Sequence, residues 1–144
     1  MQIGKLGVVS GLLLSLFIGM EGEASNNDPL PSVKTVMQKA YGDEGLCNAI
    51  ADELRRDQPK WDEIAPKIKD LLPLAEDLGI NPPLKGDKED WKKRTRVYLE
   101  SARKLDQAIQ NKDKPAAVAA QTLMNDCKSC HAAHRKTEPI DSSR

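Results

Sequence analysis

The sequence predicts an all-α protein that folds as an antiparallel four-helix bundle. Apolar residues recur every three or four positions in four separate segments, and short polar stretches rich in proline, glycine or asparagine join these segments. No stretch of useful length shows the alternating pattern of a half-buried strand, and there is no glycine-rich phosphate loop. Amphipathic helices joined by short loops are typical of a bundle that can hold a cofactor between facing helices.

The first 24 residues have the pattern of a secretory signal peptide. Lys5 is the only charged residue among the first twenty, residues 6–20 are apolar, and Gly22 and Ala24 form a small-x-small cleavage site before Ser25. The apolar run is short for a bilayer span, so an uncleaved anchor is the less favoured alternative. We expect a soluble chain exported to the periplasm, with no stable membrane insertion after cleavage. It comprises a flexible leader (25–30), a helical domain (31–136) and a polar tail (137–144).

Net charge excludes two classes of partner. Loss of Lys5, Glu21 and Glu23 from 22 basic and 22 acidic residues leaves 21 and 20 in the mature chain. A neutral chain of this kind offers no electrostatic reason to expect nucleic acid or an anionic membrane surface as a partner.

The first half of the domain contains two predicted helical segments. After Pro31 and Ser32, an apolar stripe begins, is interrupted at 42–45 and then resumes, so one broken helix and two helices are both open. The stripe comprises Val33, Val36, Met37, Ala40, Leu46 or Cys47, Ile50, Ala51 and Leu54. The second helix, 61–78, has the stripe Trp61, Ile64, Ile68, Leu71, Ala75 and Leu78. Pro66 and Pro73 lie inside it and predict a bend or a late start.

The second half contains the other two predicted helices. Residues 79–87 form a loop, because Pro82, Pro83 and Gly86 oppose a helix there. The third helix, 89–111, has the stripe Trp91, Thr95, Tyr98, Ala102, Leu105 and Ile109. The fourth helix, 116–136, has the broad face Ala116, Ala120, Leu123, Met124, Cys127, Cys130, His131 and His134.

The fourth segment carries the chemistry, in the sequence Cys127-Lys128-Ser129-Cys130-His131. Cys-x-x-Cys-His is the pattern of covalent c-type haem attachment. Two thiols three residues apart can each add to one vinyl group of the same porphyrin, and the following imidazole can bind the iron. Export also leads to the compartment where such haems are attached. The sequence therefore predicts one covalent haem c on Cys127 and Cys130, with His131 as the proximal ligand.

Three other uses of these residues are less favoured. A thioredoxin-like redox pair needs the N-terminus of a helix after a strand, whereas this motif falls late in a predicted helix. Zinc bound by Cys127, Cys130, His131 and His134 would need ligands spread over about 10 Å of one helix to meet at a single ion. A Cys127–Cys130 disulfide would have poor geometry inside a helix.

The sixth iron ligand must come from a different helix, on the opposite face of the ring. Met124 lies seven residues before His131 on the same predicted helix and is excluded by that geometry. Met37 on the first helix is therefore the candidate sixth ligand, and ordinary core packing of this methionine is the alternative.

Two further residues in or near this region have less specific predictions. His134 is expected to be a partly exposed histidine near the haem edge, with a switching ligand or a proton-linked role as the alternative. Cys47 is expected to be a small buried residue, with a homodimer linked through this thiol as the alternative.

With these features the chain resembles the class II c-type cytochromes, the cytochrome c-prime and cytochrome c-556 proteins. The resemblance covers about residues 31–136. It rests on the four-helix pattern, the early methionine, the stretch from Asn81 to Trp91 (NPPLKGDKEDW) and the ending CKSCHAAHR, whose Arg135 lies four positions after His131.

The resemblance implies an antiparallel bundle with haem on Cys127 and Cys130 and His131 as an axial ligand. In the c-556 branch a methionine at the position of Met37 closes the sixth site, whereas in the c-prime branch an apolar residue leaves the iron five-coordinate. It also implies that Arg135 lies near the haem and tunes the imidazole. The family's arginine four residues before the methionine is Val33 here, with Lys34 next.

These observations predict an exported monohaem cytochrome that carries single electrons and is not an enzyme. No nucleophile–base pair or paired catalytic carboxylates are evident in the sequence. The redox partner is unidentified. For Lys128, Arg135 and Lys136 a solvated charged face is the favoured interpretation, and a basic rim for an acidic protein is the alternative. The alternative functions are a five-coordinate haem protein binding NO or CO and, more weakly, a haem protein that stabilises a larger assembly.

Overall fold

The computed structural model describes residues 29–136, and within them the protein is all-α. These residues form six helices and no strand: α1 (Val33–Tyr41), α2 (Leu46–Leu54), α3 (Trp61–Ile80), α4 (Lys88–Gln110), α5 (Lys114–Met124) and α6 (Cys127–His134). The predicted signal peptide, most of the predicted leader and the predicted polar tail lie outside the described residues. None of the helices in 29–136 is both long and apolar enough to cross a membrane.

The predicted all-α class is confirmed, and the four predicted segments are all helical, but the first and fourth each contain two helices. In the first segment α1 ends at Tyr41, with Gly42 as its cap, and α2 begins after Gly45. A Cβ at Gly45 would lie 2.7 Å from the Ala40 carbonyl oxygen, so only glycine allows the chain to turn this closely. The fourth segment breaks at Asn125 and Asp126, and the prediction of one continuous helix is wrong there.

The two long helices match the sequence stripes closely. In α3 all the predicted stripe residues except Trp61 are buried, and in α4 all except Tyr98 are; Trp61 and Tyr98 are half-buried. α3 is continuous from Trp61, which excludes the late start, and it accommodates Pro66 and Pro73 on its exposed side. The stripe of the last segment was less accurate, because Ala116 and Leu123 are exposed and Ala117 and Gln121 are buried instead.

Side-chain caps explain where several helices begin. Ser32 Oγ accepts a hydrogen bond from the Thr35 amide at the start of α1, and Asp87 Oδ1 accepts one from the Asp90 amide at 2.7 Å at the start of α4. At the start of α5, Asp113 Oδ1 accepts one from the Ala116 amide. Each cap satisfies an amide that has no partner within the helix.

α4 is the central helix, with α3 and α5 packed along it and α6 contacting it near its beginning. The main core fills the space between α2, α3, α4 and α5, and includes Ile50, Ile68, Leu71, Leu105 and Met124. A second, smaller group is here named the Trp91 cluster. It consists of buried Val36, Leu74, Leu78 and Trp91 with the half-buried side chains Val33, Met37, Leu46, Tyr98 and Cys130.

The turn between α1 and α2 can be tested with two glycines. Gly45→Ala is expected to lower the free energy of unfolding by about 1–3 kcal/mol, because the new methyl group would overlap backbone atoms of Ala40. Gly79→Ala is the matched control, because in α3 its Cβ would make an ordinary contact with Thr95 at 3.6 Å. We expect this control to gain about 0.5–1 kcal/mol from reduced backbone entropy. Urea unfolding checks both values, and equal effects at the two positions would contradict the packing described for the turn.

Candidate functional site

The Cys-x-x-Cys-His motif forms the short helix α6, which is separate from α5. Asn125 caps the end of α5, and the Cys127 amide donates to the Asn125 carbonyl at 2.8 Å where the chain turns into α6. The Asp126 carboxylate accepts a hydrogen bond from the Ser129 hydroxyl, which lowers the pKa of Asp126. Cys127 is therefore the first residue of a helix, and not a late residue of a long one.

This placement changes the reasons for rejecting the other uses of the motif. Cys127 lies at a helix N-terminus, so its position in the helix no longer argues against a thioredoxin-like redox pair. The remaining argument against such a pair is that residues 29–136 contain no strand before the motif. The argument against a disulfide from a mid-helix position also fails, and Cys127 and Cys130 are free thiols in this structure. For zinc, no group of three His, Cys, Asp or Glu side chains in the described range lies close enough to hold a metal ion.

Cys130 and Met37 pack against the same buried cluster, although they are far apart in the sequence. Both side chains are half-buried and pack on the Trp91 cluster. Burial raises the pKa of the Cys130 thiol above its ordinary value, and the nearby Arg94 guanidinium opposes that rise. The thiol is therefore protonated at neutral pH and lies beside an apolar surface.

The structure favours Met37 over Met124 as a candidate ligand, but for a different reason from the one that the sequence suggested. Met124 ends α5 and His131 lies in α6, so the argument that they share a helix is wrong. Met124 is buried in the main core, where its carbonyl accepts a hydrogen bond from the Tyr41 hydroxyl at 3.0 Å. Of the two, Met37 is the one that packs on the Trp91 cluster together with Cys130.

His131 and Arg135 lie on the outside of the protein. The His131 side chain is exposed, and Arg135, also exposed, caps the end of α6 with its amide donating to the His131 carbonyl at 3.0 Å. Lys128 and Lys136 are exposed as well. An exposed imidazole next to two free thiols fits the donor set of a covalently attached haem.

His134 is buried, and the prediction of a partly exposed side chain is wrong. Only 3 % of the residue is accessible to solvent. Nδ1 lies 3.0 Å from the Lys85 carbonyl oxygen, Nε2 lies 2.9 Å from Asp90 Oδ2, and the ring meets the Trp91 indole edge-to-face with 5.2 Å between centroids. A side chain held in this way is not a free ligand beside a haem edge.

Arg94 is a residue of this region that the sequence reading missed. Its Nε donates to Asp90 Oδ2 at 2.7 Å, and its Nη1 donates to Ser129 Oγ in α6 at 2.8 Å. The four-residue spacing of Asp90 and Arg94 on a predicted helix was a signal for the first contact. Nothing in the sequence indicated the second, because it depends on how α6 docks on α4.

Cys47 is buried, as predicted. The residue is 1 % exposed, its Sγ lies 3.8 Å from the Tyr98 hydroxyl, and burial raises the pKa of the thiol. Tyr41 and Tyr98 lie beside it, and burial raises the pKa of both phenols well above the ordinary value. A thiol enclosed in this way is poorly placed to form a disulfide with a second chain.

Comparisons with known proteins give no further information about this site. No family model, no curated protein and no solved structure matches the chain. The function must therefore be inferred from the residues themselves.

The ion pair beside α6 predicts a dependence of stability on pH. The hydrogen bond from Arg94, followed by that from His134, lowers the pKa of Asp90 from its ordinary 3.8. The folded state thus favours the carboxylate, so its contribution is complete above the ordinary value and is lost as the pH falls through the lowered one. We expect Asp90→Asn to be less stable than wild type at pH 5, and the difference to shrink below about pH 4.

Urea unfolding between pH 3 and pH 6 measures this difference. Asp70→Asn, which changes an exposed carboxylate of α3, is the matched control and is expected to follow the wild-type curve. A constant difference between Asp90→Asn and wild type down to pH 3 would contradict the role given to the ion pair.

Proposed function

We propose that this chain is an exported monohaem cytochrome of the class II type that carries single electrons. One haem c is attached through Cys127 and Cys130, with His131 as the proximal ligand and Met37 as the sixth. The observation that carries the proposal is that Cys130, in the Cys-x-x-Cys-His motif, and Met37 pack on one apolar cluster. Apolar surroundings and one axial ligand from each side are what a low-spin c-type haem requires.

The fold supports this proposal. Within residues 29–136 the helices α3, α4 and α5 pack on each other through short connections, 81–87 between α3 and α4 and 111–113 between α4 and α5. Connections of this length favour antiparallel neighbours, which is the arrangement that we propose for the bundle. The motif then lies on a helix that docks beside the bundle core.

Each residue of the site has a distinct role in the proposal. Cys127 and Cys130 would hold the macrocycle covalently through thioether bonds, which would prevent its dissociation after export. His131, exposed on α6, would bind the iron of the haem, and Arg135 would supply positive charge one turn away from it. When bound, haem supplies reversible one-electron chemistry at its iron. The chain contributes axial ligands, an apolar lining and control of solvent access.

The exposed basic residues around α6 support a protein partner of opposite charge. Lys128, Arg135 and Lys136 are all exposed near the attachment residues. A basic rim of this kind would orient an acidic redox protein toward the haem edge and speed encounter at low ionic strength.

Covalent attachment is tested with cysteine variants produced in a host that matures c-type haems. The double variant Cys127→Ser/Cys130→Ser is expected to carry no haem after denaturation and organic extraction, because serine cannot form a thioether. Cys47→Ala is the matched control, since this thiol is buried in the main core, and it is expected to retain the full haem content. Mass spectrometry of the intact chain measures both, and haem that resists extraction from the double serine variant would overturn the attachment.

The sixth ligand is tested with visible spectra of the reduced protein with and without CO. Wild type is expected to be low-spin and indifferent to CO, and Met37→Leu to become high-spin and to bind CO, because leucine fills the volume without supplying sulfur. Met124→Leu, in the main core, is the control and should resemble wild type. Rapid CO binding by wild type would instead support the five-coordinate, gas-binding alternative, in which the half-buried apolar side chains of α1 line an open sixth position.

A further inference from the structure

The helix α6, which carries the Cys-x-x-Cys-His motif, depends on the rest of the protein for its conformation. α6 has eight residues, and an isolated helix of that length is marginal in water. Only His134 of its residues is fully buried. The stabilisation that α6 gains from tertiary contacts therefore comes from a few residues, and His134 is the most buried of them.

Both ring nitrogens of His134 meet hydrogen-bond acceptors on other elements. A backbone carbonyl can only accept, so Nδ1–H donates to Lys85 in the α3–α4 loop at 3.0 Å. Nε2 is 2.9 Å from Asp90 Oδ2 at the start of α4. The ring also packs edge-to-face on Trp91, so one side chain joins α6 to the loop, to α4 and to the Trp91 cluster.

The α3–α4 loop is shaped to receive this end of α6. Gly86 has a φ of +82°, and a Cβ there would lie 2.6 Å from the Ala133 carbonyl oxygen and 3.1 Å from His134 Nδ1. A larger residue would strain the backbone and push the loop away from α6. Glycine therefore permits the approach that brings the Lys85 carbonyl to His134.

A second anchor holds the middle of α6 from the same helix of the bundle. Arg94 donates to the Ser129 hydroxyl while it also donates to Asp90 Oδ2, the atom that faces His134. Asp90 and Arg94 thus hold α6 at two residues, Ser129 and His134, on either side of Cys130 and His131. Two separated contacts fix the rotation of a short helix as well as its position.

We propose that His134 is a positioning residue for the attachment motif: held between Asp90 and the Lys85 carbonyl, it fixes the orientation in which α6 presents Cys127, Cys130 and His131. The haem part of this inference rests on the proposed function, whereas the docking of α6 does not. His134 does not ligate iron in this arrangement, because both of its ring nitrogens are engaged.

Hydrogen–deuterium exchange of the full chain tests the docking. His134→Phe keeps an aromatic ring against Trp91 but removes both hydrogen bonds, and we expect the amides of α6 to exchange about tenfold faster, with α3 unchanged. His134→Gln, whose amide can still donate to Asp90, should recover part of the protection. Asp90→Asn provides the same test from α4 if His134→Phe does not fold.

Two exposed lysines supply matched controls for these variants. Lys128→Ala lies on α6 itself, and Lys92→Ala breaks an ion pair with Glu89 on α4 that does not involve α6. Neither is expected to alter exchange in α6. Wild-type protection of α6 in both His134→Phe and Asp90→Asn would overturn the proposal, as would equal loss of protection throughout α3, α4 and α6.

Haem attachment in the maturation host gives a second readout. In His134→Phe we expect the fraction of chains with two thioether bonds to fall and the fraction with one to rise, with partial recovery in His134→Gln. Wild type without covalent haem would refute the proposed function and leave the exchange experiment to decide the docking. Normal thioether yield in His134→Phe, together with faster exchange of α6, would refute the positioning of the motif while the cytochrome function stood.

Discussion

The buried side chain of Trp91 is the contact on which the arrangement of this region depends. Its indole Nε1 donates to the Asn81 carbonyl at 2.7 Å, one edge meets the His134 ring, and its apolar surface packs with Val36 and Leu78. Trp91 therefore contacts the loop and α6 directly, and it belongs to the same apolar cluster as Val36 of α1. A large aromatic group with one polar atom suits this position, because it fills the volume while its single donor is satisfied.

The loop around Trp91 extends the connection to α1. The Asn81 side-chain amide donates to the Pro31 carbonyl at 2.9 Å, just before the helix that carries Met37, and to the Asp77 carbonyl at the end of α3. Asn81 thus ties the start of α1 to the same loop whose Lys85 carbonyl receives His134. In the proposed cytochrome, this loop would link α1, which carries Met37, to α6, which carries His131. Substitutions in the loop would therefore affect the positions of both ligands.

The sequence predicted what local periodicity determines and missed what depends on docking. The α3 and α4 stripes were predicted well, because long helices with one apolar face bury that face in almost any bundle. The break between Met124 and Cys127 was missed: the apolar spacing continues across it, and no proline or glycine marks it. His134 was predicted to be partly exposed because it lies one turn from His131, near the edge of the expected haem. Its burial requires acceptors from Lys85 and Asp90, which no local pattern shows. The Cys-x-x-Cys-His pattern was evident from its spacing alone, and its use for haem attachment stays a prediction.

Burial of His134 makes the docking of α6 cooperative. A polar ring taken from water without partners costs about 1–3 kcal/mol, so it is stable inside only when its hydrogen bonds form with it. Those bonds come from two elements, the loop at Lys85 and α4 at Asp90, and Asp90 is held in turn by Arg94. Partial docking would leave a buried ring nitrogen of His134 without a hydrogen-bond partner. The arrangement therefore favours α6 either fully docked or fully released, and docking of this all-or-none kind would define a single orientation for Cys127, Cys130 and the adjacent His131.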